Sequence, residues 1–139
     1  MNGRKVLFCF FLLLVLAGCC KEMCIGNEIV VSFEKLKAVD TDTVLVVKYQ
    51  PGTQLVKSLD TARIYSNVAP TDTSNSKLFH TITAGFDWKI LVPSVNKTYR
   101  ITDFILTKER CPCGGNTYQS IEAYNVNNVR KEGFFISLD

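Results

Sequence analysis

The chain has 139 residues, 47% of them apolar, and a formal net charge of +3. That is enough for one folded domain and too apolar for a disordered chain. Two of the cations, Arg4 and Lys5, fall in a leader-like segment, so the remainder is close to neutral. A near-neutral chain lacks the clustered positive charge that a nucleic-acid binder needs.

Arg4 and Lys5 precede an uncharged apolar run from Val6 to Ala17. A bilayer-spanning helix needs roughly 20 apolar residues, so this run is too short. Its length is that of the apolar core of a secretory signal, and small residues follow it. The sequence Leu16-Ala17-Gly18-Cys19 resembles a bacterial lipobox, the motif cut by lipoprotein signal peptidase. The resemblance implies that Cys19 becomes the first mature residue, with a diacylglycerol on its sulfur and an acyl group on its amine. Two acyl chains already hold a protein on a membrane, and three make attachment effectively permanent. Cleavage before Cys20 would put Cys19 where the motif wants a small residue, so Cys19 is preferred. Cys19-Cys20-Lys21-Glu22 resembles in part the Lys-then-acidic signal that sends some lipoproteins to the cell surface. The expected organisation is a signal peptide over 1–18, a lipidated tether over 19–27 and a folded domain over 28–139, held on the outer membrane.

From Glu28 onward the chain reads as short strands separated by turn residues. Ile29, Val31 and Phe33 alternate with Val30, Ser32 and Glu34, the period of a half-buried strand. Asp40-Thr41-Asp42 is a turn. Thr43 to Tyr49 is apolar and β-branched, which predicts a central strand. Gln50-Pro51-Gly52-Thr53 ends it with turn chemistry. Ala62 to Tyr65 is a weaker strand, and the polar segment Asn67 to Ser76 an exposed loop. Leu78 to Thr83 is a strand broken by Gly85. Trp88, Ile90 and Val92 mark the next. Pro93 to Asn96 turns the chain into a strand from Tyr99 to Leu106, where a change of phase near Asp103 predicts a β-bulge. Two further strands are expected around Tyr118 to Val126 and Gly133 to Leu138.

About eight short strands and no helix predict an all-β fold, an antiparallel β-sandwich. The stretch Trp88 to Phe104 resembles the strand-turn-strand corner of immunoglobulin-like domains, which would put Tyr99 at a tyrosine-corner position. That family's Cys–Trp–Cys pattern is missing, so a transthyretin-like sandwich or a small barrel stays open. Of the twelve aromatics beyond the leader, Phe86 and Tyr124 are the hardest to assign to the core.

There are six cysteines. Cys9 leaves with the leader and Cys19 is the lipid site, which leaves Cys20, Cys24, Cys111 and Cys113 as disulfide candidates. Four cysteines allow three pairings. A bridge within Cys111-Pro112-Cys113 closes a strained ring. The expected pattern therefore ties the tether to the loop, with Cys24 bonded to one member of that motif and Cys20 to the other. Such a bridge closes a loop of about 90 residues and contributes roughly 4 kcal/mol in the chain-entropy model. Two other chemistries compete. A four-thiolate zinc site would use all four cysteines, but CxxxC and CxC are not the usual spacings. Thiol redox chemistry at Cys111 and Cys113 would draw on Lys108 and Arg110 to lower a thiol pKa, but no thioredoxin-like βαβ pattern surrounds it.

The other residues carry less. His80 is the single histidine and is expected on a strand. Asp40, Asp42 and Asp60 would bind calcium only if the fold gathered them at one end. Asp42-Thr43-Val44 and Asp60-Thr61-Ala62 resemble an O-glycosylation tripeptide that some Gram-negative bacteria use on exported proteins. No phosphate loop or nucleophile elbow is present. These features predict a non-enzymatic binding or structural module with no cofactor and no metal. Its contacts would be the loops Asn67 to Ser76 and Gly114 to Thr117, its partners the membrane through the anchor and a protein or glycan at the envelope. The alternative is an exported thiol-redox or metal protein using the four cysteines.

Overall fold

The computed structural model describes residues 26–111 and 117–139. Within them the strands are β1 (Glu28–Ser32), β2 (Thr43–Tyr49), β3 (Ser58–Tyr65), β4 (Phe79–Thr83), β5 (Asp87–Val92), β6 (Lys97–Arg110), β7 (Thr117–Val126), β8 (Val129–Lys131) and β9 (Phe135–Ser137). They form a six-stranded sheet in the order β3-β2-β5-β6-β7-β8 and a three-stranded sheet in the order β4-β1-β9. All pairings are antiparallel except β1 with β9. The two sheets pack as an all-β sandwich, as the strand pattern predicts.

Period-2 alternation builds the core. Ile29, Val31 and Phe33 are fully buried from the small sheet, and Val44, Val46, Ile90, Val92 and Ile101 meet them from the large one. β2 lies between β3 and β5, which explains its apolar run. The phase change expected near Asp103 is a bulge. Asp103 takes a left-handed φ of 56°, and the register with β7 shifts between Thr102 and Ile105. Before the bulge Tyr99 and Ile101 face the core; after it Phe104 and Leu106 do. A second shift, between Ile105 and Leu106, falls opposite Glu122 on β7. It changes the phase of that strand too and turns Tyr124 inward, to 2% exposure. Its ring lies 5.9 Å from that of Phe104.

Strand β8 was not expected. It is three exposed residues with no alternation. It forms because Asn127 and Asn128 both adopt positive φ and make a two-residue hairpin between paired Val126 and Val129. The tyrosine-corner expectation is corrected. The Tyr99 hydroxyl donates to the main-chain oxygen of Asp139, in the segment after β9, not to backbone just upstream.

Strand directions sort the loops into two ends. One end holds the β2–β3 turn, the β4–β5 turn, the start of β1 and the far half of the β6–β7 hairpin. The other holds the short 3-10 turns Val39–Thr41 and Pro93–Val95, the β7–β8 turn and the segment joining β3 to β4.

Candidate functional site

At the first end the chain enters through Gly26. A Cβ there would stand 1.7 Å from the Gln119 carbonyl oxygen and 2.4 Å from Tyr118 Cδ2, so only glycine lets the backbone pass so close to β7. The next residue, Asn27, accepts a hydrogen bond from Ala84 N at 2.8 Å. Gly26 and Asn27 are thereby wedged between the β4–β5 turn and β7.

Beside this entry lies a cleft of about 300 Å³, lined by Pro51, Gly52, Gly85, Phe86, Asp87 and Asp103 among others. Asp87 is the first residue of β5 and is buried. Its Oδ2 accepts the Gly52 amide at 3.0 Å, which clamps the β2–β3 turn. Burial pushes its pKa up, the nearby Asp103 charge adds to the rise, and the Gly52 amide opposes it. Asp103 stands on the bulge and stays exposed; its Oδ2 accepts Thr102 Oγ1 at 2.8 Å and Asn125 Nδ2 at 2.9 Å. Lys48 Nζ sits 3.5 Å over the Phe86 ring and 5.8 Å from that of Trp88, a cation–π arrangement. Phe86 meets Trp88 edge-on at 6.4 Å. The cleft thus joins two carboxylates and an aromatic wall, with a cation close by. It offers acceptors for hydroxyl or amine donors.

At the opposite end the segment Asn67 to Ser76 is largely exposed but held in place. Ala38 N donates to Ser74 O at 2.8 Å, Val39 N to Asp72 O at 3.1 Å and Ser76 N to Leu36 O at 2.8 Å. Beneath it the buried hydroxyls of Thr41 and Ser76 share a hydrogen bond of 2.7 Å. Asp72 Oδ1 accepts Ser74 N at 2.9 Å. The Ser74 side chain, and then that backbone bond, lower the Asp72 pKa. A shallow cleft of about 380 Å³ opens between this segment and the 3-10 turns, lined by Val39, Thr43, Val68 and Ser94 among others. The loop named from sequence is therefore a preformed surface.

The other candidates are dispersed. Cys111, just after β6, is disulfide-bonded; Cys19, Cys20, Cys24 and Cys113 lie outside the described residues, as do Gly114 to Asn116. Asp40 and Asp42 stand at the loop end, whereas Asp60 pairs with Lys48 toward the tether end. The fold does not gather these three acids, and no group of three metal-ligating side chains occurs among the described residues. His80 pairs with Val31 in the small sheet, and burial lowers its pKa. Sequence reading missed the Asp87 cleft. The available signals were the phase change at Asp103 and the ambiguity of Phe86. Compared with known proteins, the chain matches no family model, no curated protein and no solved structure.

Proposed function

We propose that this protein is a lipid-anchored module of the bacterial outer membrane, fixed through Cys19 and acting by binding or scaffolding, without catalysis. The observation that carries the reading is Leu16-Ala17-Gly18-Cys19 placed directly after a short apolar run behind Arg4 and Lys5. The lie of the two ends supports it. Gly26 lies beside the Asp87 cleft, so an anchor at Cys19 attaches on the side of the sandwich opposite the Asn67–Ser76 surface. That surface is pinned by backbone hydrogen bonds. A partner therefore meets a loop whose ordering entropy is already spent, which favours binding. The partner is a protein or glycan of the envelope. The disulfide at Cys111 fits a structural role for the cysteines better than a free dithiol or thiolate metal site.

Intact mass spectrometry of the full chain, purified from its native membrane, tests the anchor. The expected mass is that of the chain from Cys19 plus three acyl groups, with no alkylation before reduction. A mass that retains the first 18 residues, or lacks acyl groups, overturns the reading. Cross-linking from a photoreactive residue at Thr73 in intact cells tests the surface. A defined adduct, lost when the label is moved to Lys108 at the other end, is the expected result.

A further inference from the structure

Strand β3 is the longest edge strand among the described residues. Its partner β2 covers one side. Ser66 N donates to Asp42 O at 3.1 Å, so the alternation of an antiparallel ladder turns the peptide groups of Thr61, Arg63 and Tyr65 toward the open edge. Thr61 pairs with Val47, while Val44 and Val46 carry the buried face. The Thr61 side chain therefore stands on the outer face of the sheet, and the residue is exposed. Its edge-facing amide donates to Asp60 Oδ1 at 2.8 Å. That bond holds the Asp60 carboxylate at the Thr61 backbone amide, on a strand open to an approaching enzyme.

An uncovered edge of this length is a template for unwanted strand pairing, which proteins block with charge, proline, bulges or a cover. Here the guards within the strand are Asp60, Arg63 and a bulge at Leu59, where the register with β2 shifts; from Asp60 to Tyr65 the two charges stand alone. The same residues, Asp60-Thr61-Ala62, form one of the two glycosylation-like tripeptides. The other, Asp42-Thr43-Val44, is placed differently. Thr43 is half-buried at the start of β2, paired with Tyr65 and lining the cleft beside the 3-10 turns, and the carbonyl of the preceding Asp42 is engaged by Ser66.

We propose that Thr61, and not Thr43, is the acceptor of an O-linked glycan, and that this glycan covers the open edge of β3. The donor class is a lipid-linked sugar diphosphate. The Thr61 Oγ attacks the anomeric carbon, the bond from that carbon to the diphosphate oxygen breaks, and the lipid diphosphate leaves. The hydroxyl proton passes to a base of the transferase. A bulky hydrated group in mid-strand then excludes a second strand from the edge. The inference rests on the envelope reading, because such donors act on exported chains.

The test is peptide mapping of the full chain from its native membrane. Trypsin releases Ser58–Arg63, which contains Thr61, and Ala38–Lys48, which contains Thr43. The expected result is a sugar mass on Thr61 in the first peptide and none on the second. Thr61→Ser keeps the modification, while Thr61→Val and Asp60→Asn abolish it and shift the intact protein toward oligomers in size-exclusion chromatography. A lipidated chain whose Ser58–Arg63 peptide is unmodified overturns this proposal and leaves the anchor standing. A chain that is neither cleaved nor lipidated overturns both. Sugar on Thr43 alone, or a native chain already paired through β3 without sugar, also overturns it.

Discussion

The Trp88 indole Nε1 donates a hydrogen bond to the Thr83 carbonyl at 2.8 Å, and it does so from one sheet to the other. Thr83 ends β4 of the small sheet, and Trp88 is the second residue of β5 in the large one. The bond closes the turn through which the chain changes sheets, beneath the Phe86 ring and the Lys48 ammonium. Trp88→Phe keeps most of the apolar bulk and removes the donor. The expected loss is about 1–2 kcal/mol, from a broken hydrogen bond and a carbonyl left with a poorer partner. Urea unfolding followed by circular dichroism reads it, and an unchanged midpoint would refute the inter-sheet role.

Asp87 predicts a pH signature. Its folded pKa is raised by burial, with a further rise from the Asp103 charge. A raised carboxyl pKa favours the fold at pH below the unfolded value of about 3.8, and that favour is lost as pH climbs through the folded value. Asp87→Asn keeps an acceptor for the Gly52 amide and removes the charge. The variant should melt a few degrees above the parent at pH 7, and the gap should close as the pH falls toward 3. A gap independent of pH would mean that the charge is not what Asp87 contributes.

The architecture was readable because most of the core obeys a period of two: Ile29, Val31 and Phe33, then Val44 and Val46, then Ile90 and Val92. The bulge was readable for the same reason, since an apolar pattern that changes phase at Asp103 has one common backbone remedy. Where a strand owes its pairing to a turn, the pattern is silent. Val129–Lys131 carries no alternation and exists because Asn127 and Asn128 accept positive φ. Tyr124 was ambiguous because its phase depends on a shift in the register with β6, which no local spacing displays. The Asp87 cleft was hidden more deeply. Pro51, Phe86 and Asp103 are far apart in sequence and meet only once two turns and a bulge share one end of the sandwich. The proposed anchor at Cys19 is the reverse case, a purely sequential reading that rests on Leu16-Ala17-Gly18-Cys19 and not on the fold.

The pinned surface rests on a pair of hydroxyls. Thr41 Oγ1 also reaches the Ala38 carbonyl at 3.1 Å, and Ser76 Oγ accepts Leu78 N at 3.2 Å. Both residues are buried, so removing one hydroxyl costs the other a buried partner and leaves it only its backbone contact. Thr41→Val and Ser76→Ala should each lower stability by about 1–2 kcal/mol, and the double variant by clearly less than the sum. Strict additivity would mean that the 2.7 Å contact is energetically empty. The Thr41→Val chain should also exchange the Ser74 and Ser76 amides faster, because the segment loses the support beneath it.

The last prediction concerns the bond at Cys111. Gly26 lies against Gln119 and Tyr118, and Tyr118 pairs with Glu109, two residues before Cys111. Cys24 precedes Gly26 by two residues, so the tether enters the domain beside the strand end that carries the bond. A bridge from Cys24 to Cys111 would close most of the domain into one loop, and the chain-entropy model assigns such closure roughly 4 kcal/mol. Cys24→Ala and Cys111→Ala should therefore lower stability by similar amounts, and the double variant by no more than either alone. Reduction of the parent should bring it at least as low. If Cys24→Ala is neutral while Cys111→Ala is not, the partner is another cysteine. The tether would then be held by Gly26 and the Asn27–Ala84 hydrogen bond without covalent help.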